Sequence, residues 1–99
     1  MSISDLFEVA DTDTVWDAWL TTANLLDMLE HMEGVTEHYD FATSRNKVAQ
    51  IYSVAELHSI DRPDSCCICG LSDAEHALLK RKILTFFRLQ VSNLKHFVH

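Results

Sequence analysis

The stretch SDAEHALLKRKILTFFRLQVSNLKHFVH, residues 72–99, decides the fold class. Ser72 and Glu75 have the spacing of a capping box, in which each side chain satisfies the other residue's free backbone amide. The pattern predicts a helix from about Asp73 to near the last residue. Arg81, Thr85, Arg88, Ser92 and Lys95 form one polar strip along it. Leu78, Leu79, Ile83, Leu84, Phe86, Phe87, Leu89, Val91, Leu94, Phe97 and Val98 cover about 240° of arc, wider than a surface helix needs. Such breadth puts the helix at the centre of a bundle or against a partner. Leu84, Val91 and Val98 recur at the heptad spacing of a helical-dimer seam, so they are expected to meet a second copy of the chain.

Upstream of this helix, residues 61–71 read Asp-Arg-Pro-Asp-Ser-Cys-Cys-Ile-Cys-Gly-Leu, a loop rich in turn formers. Cys66 and Cys69 have the C-x-x-C spacing that turns two thiolates toward one tetrahedral zinc, with Gly70 relieving the tight backbone. His58 and His76 flank the loop. The expected metal set is therefore His58, Cys66, Cys69 and His76, with zinc as the cofactor. His31, His38, Cys66 and Cys69 form a competing set, whose spacing resembles the HHCC zinc pattern in the N-terminal domain of retroviral integrases. That set needs the preceding helix, read over about 37–59, to break near Thr43–Asn46. Unbroken, such a helix would hold its ends some 33 Å apart at about 1.5 Å per residue.

Nearer the N-terminus, Ser4 to Ala10 reads as a short leading helix. Asp13 or Thr14 can cap the next one, whose apolar stripe is expected along Trp16, Leu20, Ala23, Leu26 and Leu29, with Gly34 as the left-handed terminator. Asp13, Asp17, Thr21, Asn24, Asp27 and His31 are expected on the opposite, polar face. Thr36 can cap the helix after it, with a stripe of Phe41, Val48, Tyr52 and Ala55. The scarcity of turn formers, two glycines and one proline, argues against a sheet fold. The expectation is a single all-α domain over residues 1–99. It would be a small bundle of three long helices, with the short leading helix and the cysteine-rich loop before the last helix, which is expected to be the most buried.

Charge is divided along the chain. Ten Asp and Glu residues and no Lys or Arg fall in the first forty positions, and the remainder carries eight basic residues against five acidic ones. The two parts are about −10 and +3, giving a net charge of −7. An acidic surface repels phosphate backbones and attracts basic proteins. Asp13, Asp17, Asp27 and Glu30 are the expected partner-binding patch. No phosphate-binding glycine loop, nucleophile elbow or H-E-x-x-H helix is present, so no enzyme is predicted. The start lacks the positive and apolar regions of a secretory signal, and the three clustered cysteines form no spaced disulfide framework. A cytoplasmic protein is expected.

These features together predict a non-enzymatic acidic module. It would inhibit or regulate a nucleic-acid-handling protein by engaging its basic surface, as a DNA mimic. Immunity proteins against nuclease toxins and phage-encoded inhibitors share such bulk properties, though no motif. Direct nucleic-acid binding is not expected of this form. The alternative is a zinc-stabilised dimeric helical regulator that contacts DNA through Arg81, Arg88 and Lys95.

Overall fold

A computed structural model of the chain describes residues 13–61 and 70–97. These residues form three α-helices: α1 (Val15–Glu30), α2 (Phe41–Leu57) and α3 (Asp73–Leu94). A single 3-10 turn, Lys95–Phe97, follows α3. No strand occurs among the described residues. The expected leading helix at Ser4–Ala10 and positions 62–69 of the cysteine-rich loop lie outside them.

Helix ends follow local chemistry. Ser72 and Glu75 do form the capping box: the Glu75 amide donates to Ser72 Oγ at 3.2 Å, and the Ser72 amide to Glu75 Oε1 at 3.1 Å. Thr14 caps α1 by accepting from the Asp17 amide at 3.1 Å. Asp40, not Thr36, caps α2, accepting from the Thr43 amide at 3.0 Å and the Thr43 hydroxyl at 2.6 Å. A carboxylate one residue before the first helical turn meets an amide that Thr36 is too far upstream to reach. Helix α2 then runs unbroken through Thr43–Asn46, so the break required by the integrase-like ligand set is absent. Gly34 adopts a left-handed φ of +87°, but α1 has already closed at His31, and the glycine turns the connection to α2 instead.

The core corrects the sequence reading most sharply. Helix α1 packs extensively on both α2 and α3, which touch each other less, so α1 and not α3 is the middle of the bundle. Its buried face is Val15, Ala18, Thr21, Thr22, Leu25, Leu26 and Leu29. Of the expected stripe only Leu26 and Leu29 are in the core, while Trp16 is 49% and Leu20 38% exposed. Thr21, expected on the polar face, is buried too. Its neighbour Thr22 is accommodated because its hydroxyl donates back to the Ala18 carbonyl at 2.8 Å, leaving no unmet donor. Val48, Ala55 and Phe41 of α2 complete the core with Ile83, Leu84, Phe87, Val91 and Leu94 of α3. The rest of the wide apolar arc of α3 is not covered throughout: Leu89 is 55% exposed and Leu78 49%.

A short segment after α2 links two helix ends. Helix α2 closes in a Schellman motif, with the Ile60 amide donating to the Ala55 carbonyl and the Ser59 amide to the Glu56 carbonyl, each at 3.1 Å. Ser59 takes the left-handed position, φ +51°, where glycine is usual. Ile60 packs against the core, and Asp61 then reaches the start of α1. Its carboxylate forks across two free helical amides, accepting from Val15 at 3.0 Å and Trp16 at 2.5 Å. The carboxylate also faces the positive end of the helix dipole.

Two substitutions should move stability in opposite directions. Ser59→Gly should raise unfolding free energy by about 1 kcal/mol, because it relieves a left-handed residue bearing a Cβ. Asp61→Ala should lower it by about 0.5–2 kcal/mol, the range for loss of an N-terminal cap. Urea denaturation of the two variants beside the parent chain checks both signs.

Candidate functional site

The outward face of α1 carries Trp16, Leu20, Asn24 and Asp27, at steps of four, four and three residues, and all four are exposed. Trp16 leans on Trp19 with centroids 5.4 Å apart and on Tyr52 of α2 at 5.8 Å. Trp19 and Tyr52 stack at 4.4 Å and 22°. This aromatic group forms one end of a groove between α1 and α2. A pocket of about 190 Å³ opens there, lined by Trp19, Ala23, Leu26, Arg45, Val48 and Ala49. The alanines keep it open, since a longer side chain at either position would fill it.

The four carboxylates expected to form the partner patch are held differently. Asp27 is exposed on the outward face. Asp17 is partly exposed and accepts from the Thr14 hydroxyl at 2.5 Å, so it belongs to the helix cap. Asp13 is almost fully solvated and lies 3.7 Å from an Arg88 nitrogen of α3. Glu30 is paired with Arg45 of α2, whose guanidinium also lies 6.0 Å from the centroid of the Phe41 ring. The hydrogen bond from Arg45 holds the Glu30 carboxyl below its ordinary 4.5, against the opposing effect of burial. Glu30 in turn holds the Arg45 guanidinium more firmly protonated. Glu30 therefore serves the α1–α2 contact as well as the surface, and Asp27 is the one of the four that shares the exposed face of α1 with Trp16 and Leu20.

Asp27, Glu30 and His31 bring potential ligand atoms within 4.8 Å of one another. Internal bonds account for this cluster. Glu30 is engaged by Arg45, and His31 Nδ1 lies 2.7 Å from the Asp27 carbonyl oxygen, which can only accept.

Of the expected metal ligands, His58 and His76 are brought together, with ring centroids 6.4 Å apart. Cys66 and Cys69 lie outside the described residues. Two residues of the expected self-association seam are buried within the chain itself. Leu84 is 7% and Val91 3% exposed because both fill the chain's own core, while Val98 lies outside the described residues. Arg81 and Arg88 are exposed on α3 and Lys95 on the 3-10 turn that follows it, as the polar strip implied.

The sequence alone placed Trp16 and Leu20 on the apolar stripe of α1, whereas both are exposed. The overlooked signal was the second apolar run on the same helix, Val15, Ala18, Leu25 and Leu29, which fits helical spacing equally well. Comparison with protein-family models, curated proteins and solved structures finds no match for the chain. No described helix is long and apolar enough to cross a membrane.

The Glu30–Arg45 pair has a signed consequence. A carboxyl with a depressed folded value adds stability that is fully present above its ordinary 4.5 and is lost as pH falls through the lowered value. Glu30→Gln should therefore flatten the acid limb of the stability curve, leaving a smaller difference between neutral and acidic unfolding midpoints than in the parent. Denaturant titrations across that range measure it.

Proposed function

We propose that this protein is a non-enzymatic binding module. Its outward α1 face engages a basic, partly apolar surface of another protein, of the kind that nucleic-acid-handling enzymes and regulators present. The observation that carries this reading is the exposure of Trp16 and Leu20 on the same helix face as Asp27, beside an open apolar pocket. Tryptophan is enriched among residues that dominate binding energy, because it buries a large rigid area at low entropic cost. The pocket between Trp19 and Arg45 has room for one aliphatic or aromatic anchor from the partner.

Charge gives the partner its sign. Asp13, Asp17 and Asp27 border the apolar face, and the whole chain carries −7. Such a field steers a basic partner and disfavours an acidic one or a nucleic acid, acting mainly on association rate. The apolar anchors then govern dissociation. The two contributions act on one surface and are separable by experiment.

Immobilised protein should capture a basic protein from cell lysate, identified by mass spectrometry, and the purified partner then serves for titration. Trp16→Ala should weaken that complex by at least about tenfold. Asp27→Lys should weaken it too, with a reduced salt dependence, since screening already shortens the Debye length to about 10 Å at 0.1 M salt. The helical far-UV bands should persist in both variants, as Asp27 is exposed and Trp16 lies outside the buried arc of α1. Retention of the same partner at parental affinity by both variants would overturn the reading.

A further inference from the structure

His58 closes α2 as its C-cap residue, and His76 sits in the first turns of α3. Their rings approach edge to face, with an interplanar angle of 62°. His58 Nδ1 is buried and finds no hydrogen-bond partner among the described residues. A buried polar atom normally finds a hydrogen-bond partner. The nitrogen is shielded from solvent, in a ring whose neighbour is a second imidazole.

We propose that His58, through Nδ1, and His76 are two ligands of one transition-metal ion of the zinc class, which fastens the end of α2 to the start of α3. A neutral imidazole offers an in-plane lone pair that suits zinc and its neighbours in the first transition row. Two imidazoles on one tetrahedral ion, with bonds of about 2.0–2.1 Å, bring their centroids to roughly 5–6 Å. The observed 6.4 Å lies just outside that range.

The location gives the ion a structural role. The segment that begins at His58 carries the left-handed Ser59, the core residue Ile60 and the α1 cap Asp61. A metal bond at His58 would steady all three, and through Asp61 the start of α1. Helix α3 otherwise has the lesser contact with α2, so an ion there reinforces the weakest junction of the bundle. The sequence places Cys66 and Cys69 between the two histidines, but the proposal rests on the imidazoles alone. It is independent of the partner surface on α1.

The test uses the full chain, stripped of metal and titrated with zinc, read by native mass spectrometry and thermal unfolding. The expected result is one zinc per chain and a raised Tm, since an ion that binds the folded state alone stabilises it by mass action. His58→Ala and His76→Ala should each weaken zinc binding at least tenfold and remove the zinc-dependent rise in Tm. His58→Ala should not lower the metal-free Tm by a comparable amount, because Nδ1 finds no hydrogen-bond partner among the described residues. That separates ligation from a packing role. If His58→Ala fails to fold, His58→Asn supplies the same reading. Cys66→Ser and Cys69→Ser report whether thiolates complete the shell, and zinc binding that needs the histidines supports the proposal with or without them. No zinc bound by the parent chain, or parental affinity in both histidine variants, would overturn it.

Discussion

Helix α1 must serve two neighbours at once, and most of the structure depends on that constraint. A helix flanked on one side only can bury a stripe and leave everything else wet. Here α2 and α3 both pack on α1, and the arc from Thr21 through Ala18 and Leu29 to Leu26 is consumed between them. Leu25, Leu26, Leu29 and Val15 meet no solvent to speak of, as do Phe87 and Leu94 on α3. Fully burying each such side chain is worth about 1.5–3 kcal/mol, so this arc outweighs any alternative in which Trp16 and Leu20 turned inward and displaced it. The aromatic group is left outside as a consequence.

The same constraint links fold to surface. Because α1 is oriented by its buried arc, its opposite face presents Trp16, Leu20 and Asp27 in a row. The α1–α2 junction beside them is floored by the small side chains of Ala23 and Ala49, which leaves a pocket between Trp19 and Arg45. Arg45 belongs to the basic part of the chain and binds Glu30 of the acidic part, so some of the charge segregation is used internally. What remains outward is a set of carboxylates around exposed apolar side chains. Asp61 holds the start of this helix in place, so the segment after α2 supports a surface it does not itself form.

Much of this was legible in the sequence where chemistry is local. The Ser72–Glu75 box, the all-helical character and the Phe41–Val48–Ala55 face of α2 depend on residues a few positions apart, and they occur as read. The register of α1 was not legible, since two interleaved apolar series, one through Trp16 and Leu20 and one through Ala18 and Leu25, both satisfy helical periodicity. Only the tertiary environment chooses between them. The Asp61 clasp was equally hidden, because its acceptor and donors are separated by most of two helices. The breadth of the α3 arc suggested a central helix, yet a broad apolar arc also allows exposed leucines such as Leu78 and Leu89. Among the candidate site residues, the pairing of His58 with His76 follows from the chain leaving one helix end and entering the next, and that was visible in their flanking positions.

The orientation of α1 is tested most directly by comparing two leucine truncations on that helix. Leu25→Ala removes a fully buried side chain and should cost about 2–5 kcal/mol in urea denaturation, the range for a core cavity. Leu20→Ala removes one from the outward face and should cost no more than about 0.5–1 kcal/mol. The reverse order, or equal large losses at both positions, would contradict the assignment of the outward face and remove the basis for the proposed binding surface.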